Sequence, residues 1–266
     1  MALNIKRTNM TLPEKMSQNL KNILIVFDAA GYNPLSIETV IELAIRSQTG
    51  IQALYIEDNN LINAVGLPFT REISLYTAAI SHIDSTSMMQ KLHADAESIK
   101  KQVEAIAVTR SVSLSFSSVR GQKTQVIKNR TQELSMVFIP AVYSSNGRKQ
   151  QHQLKHEIAL VYDAQSPSCE KTLSIATSQA AKNNSPLFII VDSEQSKQHV
   201  EQSMRQQSRR GNCHVVDLST AEDVVLILQK HSPGLLVLTE DCRLFNDEKV
   251  LQRLIDSLES DILLLR

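Results

Sequence analysis

Tryptophan is absent from this chain of 266 residues, and aromatic rings are limited to six phenylalanines and five tyrosines. So few rings leave little for bases to stack on, which argues against single-stranded nucleic-acid binding. Net charge is missing too. The 28 basic and 28 acidic residues cancel, so no long-range field draws the chain to nucleic acid or to an anionic membrane. Cysteine is scarce: Cys169, Cys213 and Cys242 lie far apart and form no C-x-x-C pair. That excludes a disulfide scaffold and fits a reducing compartment. Long apolar runs are lacking as well. Stretches such as Ile23–Phe27 and Ile262–Leu265 are far too short to cross a bilayer. The polar, mixed-charge first 21 residues lack the apolar core of a signal peptide. The expectation is a cytoplasmic protein with no membrane insertion and no nucleic-acid partner.

What the chain does contain is an internal repeat, the feature to seek first in any sequence. Displaced by 135 residues, Ile23–Asp58 lies over Ile158–Ser193 without a gap, with ILIVFDAA on IALVYDAQ and Asp28 on Asp163. The later part of each copy aligns at an offset of 100, with GQKTQVIKNRTQELSMVFIP over AEDVVLILQKHSPGLLVLTE. The two offsets differ by 35, so the first copy carries an insertion of about that length, at 59–90.

Within each copy, strand and helix patterns alternate. Ile23–Phe27, Met136–Ile139 and Ile158–Tyr162 are short apolar runs, as expected of strands buried on both faces of a parallel sheet. Leu35–Gln48, Thr124–Gln132, Cys169–Asn183 and Asp247–Leu258 read as helices. Leu92, Ala96, Ile99, Val103 and Ile106 line one face of another. Val112–Val119 alternates like a strand, and Asp261–Leu265 closes the chain as one. Such alternation implies βαβ units with right-handed crossovers. The fold class is therefore α/β: two tandem, doubly wound, parallel-sheet modules of Rossmann-like form. The expected division is an N-terminal tail (1–21), a first module (22–140), a polar linker (141–156) and a second module (157–266). Residues 145–156 hold one strongly apolar residue, Leu154, so the first module lacks a fourth helix. Ile158–Tyr162 then either closes the first sheet or opens the second, and the polar linker favours the second. The two modules are expected to pack as an intramolecular pseudodimer, with Ile262–Leu265 and Ile158–Tyr162 as its contact edges. Further homodimerisation is left open.

The opening strands ending in Asp, LIVFDAA and ALVYDAQS, and the closing SDILLLR resemble the start and end of universal stress protein modules. LYIEDNNLINAVGLPFTREI is similar to a stretch in tandem bacterial members. The resemblance spans roughly 22–140 and 157–266. It implies an adenine nucleotide α-hydrolase-like fold and a stress-response role, and in nucleotide-binding members the acid after the first strand contacts adenine or ribose. Those members also carry G-x2-G-x9-G-(S/T) after the fourth strand, because backbone amides reach phosphates only where no Cβ intervenes. Here the corresponding stretches are PAVYSSNGRKQQHQLKH, with Gly147 alone, and TEDCRLFNDEKVLQR, with no glycine. ATP or AMP binding of the usual kind is not expected, and no cofactor is.

Asp28 and Asp163 end first strands, where open α/β sheets place ligands. Each is read either as a ligand contact or as a loop cap that accepts backbone N–H groups. Glu57 and Asp58 end the second strand of the first copy, but adjacent strand residues point to opposite faces, which works against a shared site. His152 and His156 share a helical spacing without further ligands, so no metal site is expected. No nucleophile motif and no acid–base constellation is present, so no catalytic residue is named and the protein is not expected to be an enzyme. In the insertion, Leu61, Ile62, Val65, Leu67 and Phe69 form an apolar group around Gly66-Leu67-Pro68. It is read as a flap over the crevice, a lid over a ligand, or a surface for an unidentified protein partner. The leading function is a regulatory, stress-response protein that acts through protein contacts. The alternatives are a nucleotide or small-ligand sensor using the crevice at Asp28, and a nucleotide-processing enzyme.

Overall fold

Five consecutive apolar residues form β1 (Ile23–Phe27), and all five are buried, because the strand lies inside a sheet covered on both faces. The computed structural model describes residues 22–67, 69–73, 77–142, 157–206, 212–215 and 221–266. The expected tail (1–21), most of the expected linker, and His152 and His156 lie outside them.

After β1 comes α1 (Pro34–Ser47), whose start is set by Asn33: its Oδ1 accepts the Leu35 amide, and Pro34 follows at the first helical position. β2 (Ile51–Asp58) runs directly into α2 (Asn59–Val65). A separate two-stranded hairpin follows, β3 (Arg71–Ile73) and β4 (Ile80–His82). The 25-residue α3 (Ser85–Thr109) buries Leu92, Ala96, Ile99, Val103 and Ala107, the stripe that its three- and four-residue spacings dictate. The first half ends with β5 (Leu114–Gly121), α4 (Lys123–Thr131) and β6 (Met136–Ile139).

The second half runs β7 (Ile158–Tyr162), α5 (Cys169–Lys182), β8 (Leu187–Val191), α6 (Glu194–Gln206) and β9 (Asn212–Val215). It continues with α7 (Ala221–His231), β10 (Leu235–Thr239), α8 (Arg243–Asn246), α9 (Glu248–Ser257) and β11 (Asp261–Leu265). Asp247 caps α9 by accepting the Lys249 and Val250 amides, and Val250, Leu251, Leu254 and Ile255 face inward.

All the long strands join one nine-stranded sheet, ordered β5-β2-β1-β6-β11-β10-β7-β8-β9. Every pairing in it is parallel except β6 with β11, which is antiparallel. α1, α3, α5 and α6 cover one face; α4, α7, α8 and α9 cover the other.

The seam differs from the expectation. β7 is not a contact edge: it sits inside the second half between β8 and β10. Among the described residues the first half has no counterpart of α9 and β11, and its fourth strand, β6, pairs with β11. That pairing buries Met136, Val137, Phe138 and Ile139 against Ile262–Leu265. On one face α1 meets α5, where Glu42 pairs with Lys182 and Arg46 donates to Gln179 Oε1 at 3.2 Å. On the other, α4 meets the α9 region, where Lys128 Nζ donates to the Asn246 carbonyl at 3.1 Å. Asp261, the first residue of β11, accepts from Ser36 Oγ of α1 at 2.6 Å and from the Ala141 amide at 2.8 Å.

Candidate functional site

In each half the strand order reverses beside its first strand, between β1 and β6 and between β7 and β10. Open α/β sheets form their crevices at the carboxyl ends of strands at such points, and Asp28 and Asp163 stand there.

Asp28 is engaged on both oxygens. Oδ1 accepts the Ala30 amide at 3.0 Å, and Oδ2 meets Lys123 Nζ at 2.6 Å. The turn also needs Gly31, whose φ of 81° suits glycine. Lys123 opens α4, and its side chain is only 10% exposed against 13% for Asp28. The capping role is thus present, and with it a sheltered ion pair that links residues 95 apart in sequence. Asp163 is buried and caps its own loop, accepting the Gln165 amide at 3.0 Å.

Glu57 and Asp58 part company, as strand alternation requires. Asp58 caps α2 by accepting the Asn60 amide at 2.8 Å. Glu57 is buried and held by Arg120 of β5 at 3.0 Å and by His93 of α3 at 3.5 Å. β2 and β5 are in register with Glu57 beside Arg120, so the parallel ladder itself sets up this pair.

Beside Phe27 in the β1–β2 register, and two residues before Glu57 on β2, stands Tyr55, whose hydroxyl is buried without a hydrogen-bond partner among the described residues. Burial pushes its phenol well above the usual range, and the nearby carboxylates of Asp95, Asp28 and Glu57 add to that. Burial also raises Asp95, opposed by Lys91. Lys123, Arg120, Tyr55 and Asp95 went unnoticed in the sequence. Each matters through a partner distant in the chain, and no local motif marks such a partner.

In the second half, the Tyr162 hydroxyl donates to Glu170 Oε1 at 2.9 Å, and His199 Nε2 lies 2.7 Å from the same oxygen. Among the described residues no group of three or more His, Cys, Asp or Glu is placed to hold a metal ion. Nor is any helix among them long and apolar enough to cross a membrane.

The insertion divides its apolar residues between two jobs. Val65 is buried, and Leu61 and Ile62 pack half-buried against the core, so α2 anchors this part of the insertion to the rest of the first half. Leu67 and Phe69 point outward, 63% and 91% exposed. Phe69 also has a φ of 77°, a left-handed conformation that costs an aromatic residue about 1 kcal/mol or more. Next to it, β3 and β4 place Ile73 opposite Ile80. Glu72, on the alternate face, pairs with Lys91 of α3, so the Ile73–Ile80 pair faces away from α3.

No protein-family profile and no curated protein matches the chain. Among solved structures, it is similar to a universal stress protein from Archaeoglobus fulgidus, at 9% identity and a TM-score of 0.52. That match covers 91% of this chain and 96% of the other. A functionally unknown protein from Pseudomonas aeruginosa matches at 12% identity and a TM-score of 0.43, covering 92% of each chain. The fold is universal-stress-protein-like.

Proposed function

We propose that this is a cytoplasmic regulatory protein of the stress-response kind, working through protein contacts and without ATP binding of the usual sort. It is non-enzymatic, and its two halves form a tandem pseudodimer across the β6–β11 seam. One observation carries the reading. The carboxylate that would face a nucleotide is satisfied internally, by a backbone amide on one oxygen and by Lys123 on the other. A ligand hydroxyl or amine would have to displace a charge-assisted contact to reach it. The missing glycines after β6 and β10 point the same way. The strained, exposed Phe69 with Leu67, Ile73 and Ile80 supplies an apolar surface for a partner.

A second reading, a small-ligand sensor, draws on the unpartnered Tyr55 hydroxyl beside Asp28. A buried phenol without a partner is costly, and a ligand acceptor atom would satisfy it.

Thermal melting with and without millimolar ATP, ADP and AMP separates the two. A ligand at about 100 times its dissociation constant stabilises the fold by about 2.7 kcal/mol. The expected result is no shift. A shift abolished by Asp28→Ala would overturn the protein-contact reading in favour of the sensor.

A further inference from the structure

The sheet has two ends, and they are unlike. At one, β9 has four residues. At the other, β5 has eight, all in unbroken register with β2. An edge of that length presents a row of N–H and C=O groups ready to pair with another strand, and proteins ordinarily blunt it with lysine, proline or a bulge. β5 uses none of these. Its sequence, LSFSSVRG, has no proline or lysine, and the continuous register leaves no bulge. Its one charged side chain, Arg120, is turned back onto Glu57 and Met89 of its own half. Leu114, Phe116 and Val119 remain half-buried, with more apolar surface to cover.

We propose that the β5 edge is a homodimer interface, pairing antiparallel with β5 of a second copy about a two-fold axis at Ser117. The strand is complementary to itself. A two-fold axis perpendicular to the sheet keeps each face with its like, so the paired residue numbers sum to an even value. Centred on Ser117, that register sets Phe116 opposite Ser118, Ser115 opposite Val119, and Leu114 opposite Arg120. No like charges meet, and each arginine lies over an apolar side chain. The molecule already joins its own two halves this way, through the antiparallel β6–β11 pair. The final strand β11 cannot serve a second copy, because both its edges are taken, by β10 and β6. Among the described strands, β5 is therefore the long edge that remains.

One strand pair is a small interface, so the dimer is a weak one, with a dissociation constant on the order of 10 micromolar or weaker. Sedimentation equilibrium of the full chain at concentrations below and well above that value tests it, together with Ser117→Lys and Ser117→Glu. Ser117 is exposed, so neither change disturbs the core. Wild type should be dimeric at the upper concentrations. Each variant alone should dissociate at least tenfold more readily, since two like charges meet on the axis. Mixing the two variants in equal amounts should restore a dimer as the opposite charges pair. A monomeric wild type, a dimer indifferent to both substitutions, or a mixture that stays monomeric would each overturn the assignment. All three readouts are independent of whether a nucleotide binds.

Discussion

Replacing Asp261 by asparagine should stabilise this protein near neutral pH and change it least near pH 4. Asp261 stands at the seam, where its carboxylate accepts from Ser36 and from the Ala141 amide. Burial pushes the carboxyl up from 3.8 to about 6, against the pull of those two donors. A raised carboxylate pKa means that the unfolded chain gives up this proton first. Below about pH 4 both states are protonated and the group is neutral in its effect. As pH rises from about 4 to about 6 the unfolded state ionises freely while the folded state resists, so stability falls; above that the penalty is complete. Two pKa units correspond to roughly 3 kcal/mol. Asp261 is half-buried rather than sealed, so solvent reduces this to roughly 1–3 kcal/mol. Asparagine keeps an acceptor for Ala141 and loses the charge. Urea unfolding of both proteins from pH 4 to pH 8 isolates the effect, because any fixed cost of the amide cancels in the pH dependence. The advantage of the variant should grow with pH and level off above about 6. A difference that stays flat, or that turns against the variant as pH rises, would show that the two donors outweigh burial and refute the argument.

Two further outcomes follow from the same geometry. Lys123→Met should cost roughly 2–4 kcal/mol in urea unfolding, because it strands a sheltered Asp28 charge; the double variant with Asp28→Asn should recover most of that loss. Phe69→Ser combined with Ile73→Ser should leave stability within about 0.5 kcal/mol, as both side chains are exposed. Cross-linking of the variant in cell extract should then lose whichever partner the wild type captures, and retained capture would move the contact elsewhere.

The strands and helices were legible because their signals are local. ILIVF and MVFI could be buried only as inner strands, and α3 carried its apolar face in its spacing. The insertion was visible from the two alignment offsets, although its hairpin was not: three-residue strands leave no periodicity to read. Capping by Asp28 and Asp163 was one of the two readings that residue type and position allowed, beside a ligand contact. The Asp28–Lys123 and Glu57–Arg120 pairs did not, since they depend on which strands lie side by side. The seam shows the divide most plainly. Sequence alone showed that 145–156 is too polar for a fourth helix and that exposing Ile262–Leu265 would be costly, and it left open whether Ile158–Tyr162 closes the first sheet or opens the second. Only the tertiary structure decided that β6, rather than β7, covers that last strand, because pairing across a sheet is settled by which edge is left without a neighbour once every other strand has found its own.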